Sequence, residues 1–166
     1  LQSESGKRMR NRATLSKLYN FSGIEIIPAV ALDYAKFKPD ANEKDTDRTI
    51  PIYSLDIKAN LIKISNDGDV RQSIQPRVMA VYIPFEDQSE FPFIDTLMPD
   101  FNYFQLFNEN RFIGNDRIGD TSKISYGIVA KRTRIQSGKD FFKFTLGQTL
   151  HLKDEKVVMP GESVRR

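Results

Sequence analysis

Residues 53–83 read YSLDIKANLIKISNDGDVRQSIQPRVMAVYI, and apolar and polar side chains alternate along most of this stretch. A period of two is typical of a β-strand whose two faces meet different surroundings. Near the middle stands Asp67-Gly68, which favours a two-residue type I′ turn because both central residues of that turn need positive φ. The stretch therefore predicts an antiparallel hairpin between 53–65 and 70–83.

The register of this hairpin follows from its turn. With Asn66 opposite Asp69, counting outward places apolar residues opposite one another. The expected pairs are Leu61 with Ile74, Ala59 with Pro76, Ile57 with Val78 and Tyr53 with Tyr82. A slip of one residue would send the partners to opposite faces, so we expect Tyr53 and Tyr82 to be neighbours.

The same alternation recurs over 24–37, 124–130 and 142–150, and less regularly over 8–20, which gives about six strands. Gln136-Ser137-Gly138 predicts a hairpin turn, and parity requires a three-residue loop there with Gly138 in the left-handed conformation. Ser22-Gly23 marks a third turn. Longer links at 38–48 and 85–120 alternate with these short turns.

The predicted fold class is all-β, with antiparallel up-and-down strands that form part of a large transmembrane β-barrel. Short turns alternating with long links, and strands of about ten residues or more, are typical of such barrels. Tyr34, Tyr53, Tyr82 and Tyr126 all fall on the apolar face toward the long-link ends, where they would form an interfacial girdle. A soluble sandwich or lipocalin-like barrel with its apolar face inward shows the same alternation, so the pattern leaves both open.

Composition narrows the possible chemistry. The chain has 166 residues, no cysteine, one histidine and a net charge of +3, which excludes Cys-based zinc sites and disulfides and does not indicate a nucleic-acid partner. No apolar run is long enough for a membrane-spanning helix, and no signal peptide is visible. Because the chain starts at Leu and stops in GESVRR, we expect an internal fragment of a longer protein.

Neither a catalytic centre nor a metal site is predicted. His151 lies on the polar face at a strand end, and no neighbouring nucleophile is indicated, so we interpret it as structural or solvated. The run from Asp40 to Asp45 resembles a calcium loop, but Lys44 occupies a ligand position and the turn glycine is missing. The sequence indicates no cofactor and no enzyme activity.

Residues 85–120 form a link much longer than ordinary connections between strands, which indicates function or disorder. Its many aromatic side chains argue against disorder; they are Phe85, Phe91, Phe93, Phe101, Tyr103, Phe104, Phe107 and Phe112. Asp100 is expected to cap a short helix over 101–108. Arg111 and Arg117 stand among Glu109, Asp116 and Asp120, where ion pairs would fix the backbone. We therefore predict a folded, partly helical outer cap over the barrel mouth.

Two features of the strands allow more than one interpretation. Pro28 and Pro76 each remove a ladder hydrogen bond, which fits either a bulge or edge position or a place where pairing must weaken. Basic side chains on the polar faces fit either an anionic ligand or a water-filled lumen. These are Lys58, Arg77, Lys123, Lys131 and Lys143.

Three stretches resemble a known family: QPRVMAVYIPFEDQSEFPFIDT (75–96), DFNYFQLFNENRFIGNDRIGDTSKISYGI (100–128) and FTLGQTL (144–150). They are similar to the β-barrel of the LptD family, the outer-membrane lipopolysaccharide (LPS)-assembly proteins. The residues that carry the resemblance are Pro76, Tyr82, Pro84, Asp87, Gln88, Asp95, Asn110, Arg111, Gly114, Asp116, Arg117, Gly147 and Gln148.

The resemblance implies a barrel in the outer membrane that receives LPS from a periplasmic transport bridge and releases it into the outer leaflet. It also implies a lipoprotein plug, LptE, in the lumen and outer-membrane lipids around the wall, without a cofactor or nucleic acid. The N-terminal domain, the disulfide cysteines of some members and the lateral exit are not identifiable in this sequence. The alternatives are a passive porin-like channel and a soluble ligand-binding β-barrel.

Overall fold

One antiparallel sheet makes up the regular structure of the protein in a computed structural model that describes residues 6–39, 45–91, 95–100, 102–114 and 116–159. None of the described segments forms a helix long and apolar enough to cross a membrane. The strands in these ranges are β1 (Gly6–Ser16), β2 (Tyr19–Phe21), β3 (Ile24–Pro39), β4 (Thr46–Ala59), β5 (Leu61–Ile64), β6 (Val70–Ile83), β7 (Thr121–Arg134) and β8 (Asp140–His151).

The strands lie side by side in chain order, which confirms the predicted antiparallel up-and-down sheet. The path runs β1-β3-β4-β6-β7-β8, with β2 beside β3 and β5 beside β6. Because β2 keeps the register of β1, and β5 keeps that of β4, each pair acts as one long strand with a local interruption. The link after β3 is shorter than the predicted 38–48, since β4 already begins at Thr46.

The hairpin register is confirmed. Tyr53 pairs with Tyr82, Ile57 with Val78 and Leu61 with Ile74. The rings of Tyr53 and Tyr82 are stacked with their centroids 6.1 Å apart, an arrangement that stabilises a cross-strand pair.

The prediction of a type I′ turn at Asp67-Gly68 was wrong, although the register was right. Gly68 has φ +79°, but Ser22 is the one non-glycine residue with positive φ in the described ranges. The Ser65 N–H instead donates to Val70 O at 2.8 Å around a longer loop. The Asp67 carboxylate accepts from the Ser65 hydroxyl and from the Asp69 N–H, so side-chain hydrogen bonds set the turn.

The two other turns also differ in detail. At Ser22-Gly23 both residues have positive φ, +50° and +84°, the combination that a type I′ turn requires. Gly138 has the expected positive φ of +64°, but its loop is wider than the predicted three residues, since Arg134 N–H donates to Lys139 O at 2.9 Å. A bulge between Arg132 and Thr133 absorbs the extra residue.

Pro28 and Pro76, the two prolines considered in the sequence analysis, stand at the interruptions. Pro28 lies where the pairing of β3 passes from β1 to β2, and Pro76 lies where the pairing of β6 passes from β4 to β5. A proline lacks the N–H that the ladder needs. Both prolines therefore mark places where a neighbouring strand is broken while the register continues.

The two faces of the sheet differ sharply. One face, called here the apolar face, exposes large apolar side chains, among them Val30, Leu32, Tyr53, Leu55, Val78, Tyr82, Tyr126, Phe142, Phe144 and Leu146. The opposite face, called here the loop face, carries Asp33, Arg48, Lys123 and Ser125, which are buried. The sheet therefore exposes the face that a soluble sheet would bury.

Candidate functional site

The link between β6 and β7, called here the inner loop (84–120), lies against the loop face of the sheet. Its Leu106, Phe107 and Ile118 share one buried cluster with sheet residues. The sheet members of that cluster are Ala31, Ile50, Ile52, Met79, Val81 and Ile83. The predicted cap over the barrel mouth is corrected: the loop packs along one face of the sheet.

The loop contains less helix than predicted. A single 3₁₀ turn covers Gln105–Phe107 in place of the helix expected over 101–108. Asn102 rather than Asp100 satisfies the start of this turn, because its side-chain oxygen accepts from Phe104 N at 2.9 Å and Gln105 N at 3.2 Å. Phe93 and Phe101, two of the predicted loop aromatics, lie outside the described residues, as does most of the predicted charged loop at 40–45.

The 3₁₀ turn packs against two glycines of the sheet. Gly127 of β7 and Gly147 of β8 are directly opposite each other. A Cβ on Gly127 would lie 2.7 Å from a Tyr103 ring atom, and a Cβ on Gly147 would lie 2.5 Å from Leu106 Cδ1. A side chain at either position would displace Tyr103 or Leu106 from the sheet, which gives Gly147 of the family motif a packing role.

Hydrogen bonds from the side chains of Gln88 and Arg117 connect the two ends of the inner loop. The Gln88 side chain donates to Ile118 O at 2.7 Å and accepts from Ile118 N at 3.1 Å. Arg117 donates to the carbonyls of Gln88 at 2.6 Å and Phe91 at 2.9 Å. Burial lowers the pKa of the Arg117 guanidinium from its ordinary value, and Asp116 and then Asp87 oppose that shift.

Replacing Arg117 by Ala is expected to loosen the inner loop while the strand ladder stays intact. The change leaves two carbonyl groups without their donor at a buried site, at about 1–3 kcal/mol for each unsatisfied group. Limited proteolysis of the full-length protein in membranes should show new cleavage within 84–120. Arg132→Ala, on a strand, is the control and should leave the loop protected; loss of the whole sheet in the Arg117 variant would contradict this role.

A buried ionic cluster links the loop to the strands beneath it. Asp33 has no exposed surface and accepts from Arg10 Nε at 2.9 Å and Nη2 at 2.6 Å. Arg48 lies 3.9 Å from the same carboxylate, donates to Gln88 and stands over the Phe91 ring at 5.2 Å. The Asp33 carboxylate thus lies between the two arginines and joins β1, β3 and β4, and Arg48 extends the cluster to the loop.

Two further carboxylates, those of Asp95 and Asp116, hold the part of the loop between residues 95 and 116 together. Asp116 accepts from the Asp95 backbone N–H, the Thr96 hydroxyl and Arg8 of β1, and Arg8 also donates to Asp95 at 2.9 Å. Gly114 has φ +100°, and a Cβ there would lie 2.1 Å from Asp95 O. The motif residues Asp95, Gly114 and Asp116 are thus one packed unit.

The far end of the loop joins the segment after β8. Arg111 donates to the Glu155 carboxylate and to Val157 O. Asp120 accepts from the backbone N–H groups of Lys156 at 2.9 Å and Val157 at 2.8 Å. Since Arg8 lies on β1, the inner loop is bound at one edge of the sheet to β1 and at the other edge to the segment that follows β8.

The remaining motif residues lie around this framework. Asn110 donates to Arg117 O and accepts from Gly119 N, both at 2.9 Å, so it closes the NRFIGNDRIG turn. Asp87 is exposed; the Ser89 N–H that it accepts lowers its pKa. Gln148 accepts from the Tyr126 hydroxyl at 2.8 Å on the apolar face, Pro84 follows β6, and His151 is exposed beside Glu155 at 3.3 Å.

A cavity of about 690 Å³ opens on the loop face. It lies between the 3₁₀ turn and the end of the sheet where the short turns join the strands, called here the short-turn end. Tyr103 and Phe104 form one wall, and Lys58, Arg77, Lys131 and Lys143 line the strand side. Arg77 is paired with Asp56 at 2.8 Å and stands over the Phe107 ring at 4.4 Å. No group of three metal-binding side chains occurs in the described ranges.

Several of these residues were not anticipated, although the sequence contains their signals. The run Val78–Ile83 is continuously apolar, which indicates apolar side chains on both faces of the strand. Met79, Val81 and Ile83 on the loop face are buried, whereas Val78 and Tyr82 are exposed on the apolar face. Arg8, Arg10 and Arg12 alternate along β1 and so share a face. Arg12 completes this row by pairing with Glu109 of the inner loop.

The sequence that forms these contacts matches a known protein family. The chain matches the family model LptD, LPS transport system D, over residues 2–166. It belongs to the LptD family. The LPS-assembly protein LptD of Pseudomonas savastanoi pv. phaseolicola is 40% identical over 116 residues, which are 69% of this chain. The LptD of Nitrosococcus oceani is 30% identical over an alignment of 162 residues that covers 94% of this chain. That of Cupriavidus metallidurans is 32% identical over an alignment of 172 residues that covers 96% of this chain.

The chain corresponds to a minor part of these LptD proteins. The matched region covers 12% of the Pseudomonas protein, 22% of the Nitrosococcus protein and 21% of the Cupriavidus protein. Family membership therefore applies to this segment, which corresponds to a part of the longer LptD proteins.

Proposed function

We propose that this chain is part of the wall of a transmembrane β-barrel in the outer membrane, and that it serves LPS assembly into the outer leaflet without catalysing a reaction. In this proposal residues 1–166 belong to one barrel domain, whose remaining strands lie elsewhere in the protein. The inner loop braces the wall from the lumen side. The names of the related LPS-assembly proteins support the process, and the sheet supports the location.

The carrying observation is the exposure of the apolar face while the loop face is covered by the chain's own loop. Leu146 is 62% exposed, whereas Ser125 on the loop face is fully buried. A soluble barrel with its apolar face inward would cover the first and expose the second. Tyr34 and Tyr126 lie on either side of the Tyr53–Tyr82 row along the strands, so the tyrosines follow an oblique line, as a level girdle does across tilted strands.

Neighbouring positions on β8 test this proposal. Leu146→Arg would place a charge on the lipid side, at about 2–4 kcal/mol near the bilayer midplane, whereas Thr145→Arg points into the cavity and should be tolerated. We expect the first variant of the full-length protein to assemble poorly and to lower surface LPS, and the second to do neither. Equal tolerance of both changes would contradict a lipid-facing surface.

The proposed partners are LPS, a lipoprotein plug of the LptE kind in the lumen, the periplasmic transport bridge and outer-membrane lipids. Photoreactive residues at Asp56 and Arg77, both on the loop face, test the lumen contacts in the full-length protein. Capture of a lipoprotein or of LPS supports the proposal. Absence of both, with normal assembly of the protein, would count against it.

A passive porin-like channel is the second candidate, and the cationic lining of the 690 Å³ cavity favours it. In that case the inner loop would constrict diffusion of small anions. Depletion of the protein would then reduce uptake of small anionic solutes and leave surface LPS unchanged. The LPS-assembly proposal expects the opposite result.

A further inference from the structure

At the long-link end of the apolar face, two lysines stand beside aromatic rings. Lys153 Nζ lies 5.8 Å from the centroid of the Tyr82 ring, and Lys156 Nζ lies 5.5 Å from that of Phe85. Tyr82 and Phe85 are 43% and 49% exposed. The four side chains line a small cavity of about 180 Å³ at the end of β6 and the start of β7.

Among the carboxylates in the described part of the chain, none neutralises the charge of these lysines. Within the described ranges neither ammonium group forms an ion pair. A cation over an exposed ring gains only about 0.5–1 kcal/mol, so the rings position the lysines and leave them available for a stronger anion. Asp120, in the same lining, is already occupied by the N–H groups of Lys156 and Val157.

We propose that Lys153 and Lys156, with Tyr82 and Phe85, form a binding site for the phosphate of an anionic lipid headgroup at the rim of the barrel wall. The proposal rests on the proposed function, because it needs the apolar face to meet lipid. Aromatic rings with one polar end prefer the membrane–water boundary, and lysines there extend toward the headgroups. Charge complementarity then selects an anionic headgroup over a zwitterionic one.

Asp154 provides a nearby negative charge whose removal should have the opposite effect to removal of a lysine. Its exposed carboxylate lies in the same lining and would repel a phosphate. Each basic residue near an anionic surface contributes about 1 kcal/mol, or roughly a five-fold preference. We therefore expect Lys153→Gln and Lys156→Gln each to reduce the preference for anionic lipid roughly five-fold, and Asp154→Asn to increase it.

The test uses the full-length protein in vesicles that contain photoactivatable phosphatidylglycerol or photoactivatable phosphatidylcholine, with crosslinks mapped on the peptide containing 152–159. Phosphatidylglycerol should be captured preferentially. The preference should fall in the Lys153→Gln/Lys156→Gln variant and persist in Lys63→Gln/Lys139→Gln, which removes equal charge at the short-turn end. Inorganic phosphate should not compete, because a free anion lacks the anchoring acyl chains.

Equal capture of the two lipids by the unaltered protein would overturn the proposal, as would a preference that survives the double lysine change. Full competition by inorganic phosphate would overturn it too, since the site would then bind a free anion. These outcomes leave the barrel proposal standing. Absence of any lipid capture along the apolar face, by contrast, would refute the proposed function.

Discussion

Asp33→Asn should destabilise the full-length protein more than any other single charge change in this segment. The fully buried carboxylate accepts hydrogen bonds from the Nε and Nη2 groups of Arg10 and lies beside Arg48, whose side chain is 1% exposed. Removing one partner of a buried ion pair costs about 3–5 kcal/mol, because the opposite charge stays buried without compensation. The temperature at which the folded form is lost, read by mobility on a gel, should fall markedly.

The control for this prediction is Glu25→Gln on the same strand. Glu25 pairs with Lys58 at 3.0 Å, but both side chains are more than a third exposed, and exposed pairs contribute about 0–1 kcal/mol. This variant should unfold close to the unaltered protein. If the two variants lost stability equally, the buried cluster would not be the joint between strands and inner loop.

Gly114→Ala should give the second large effect, here confined to the inner loop. The new Cβ would lie 2.1 Å from Asp95 O in a backbone with φ +100°. The positive φ costs about 1–2 kcal/mol for a non-glycine residue, and the overlap with backbone adds about 1–3 kcal/mol or more. Because Asp95 must move, its pairing with Arg8 and Asp116 should be lost, which proteolysis within 84–120 would detect.

Gly68→Ala separates the two causes. Gly68 also has positive φ, +79°, but nothing lies within 4 Å of a Cβ at that position. It should therefore show only the smaller conformational cost and leave the inner loop protected from protease. Equal effects at both glycines would show that the close approach to Asp95 has no part in holding the loop.

The strands and their register were accessible from the sequence because the information is local. Alternation with period two fixes which residues share a face, and the match of apolar partners selects one register between 53–65 and 70–83. The turn type was not accessible in the same way. It depends on how the Asp67 carboxylate engages Ser65 and Asp69, and Asp-Gly alone does not decide between that arrangement and a type I′ turn.

The inner loop was recognised as folded, but its docking was not predictable from local patterns. Its fixing contacts join residues far apart in the chain, such as Arg8 with Asp116 and Arg48 with Gln88. A sequence shows that arginines and carboxylates are present, but it does not show which of them meet. The close approach at Gly127 and Gly147 is equally non-local, since it depends on Tyr103 and Leu106 reaching the sheet.

Photocrosslinking along β8 tests most directly which face of the sheet meets lipid in the proposed barrel wall. A photoreactive residue is placed in turn at 142, 143, 144, 145 and 146 of the full-length protein in outer membranes, and covalently attached lipid is measured. We expect lipid at 142, 144 and 146, where the side chains lie on the apolar face, and none at 143 and 145, which line the inner cavity. Lipid at 143 and 145 but not at the other three positions would contradict this expectation.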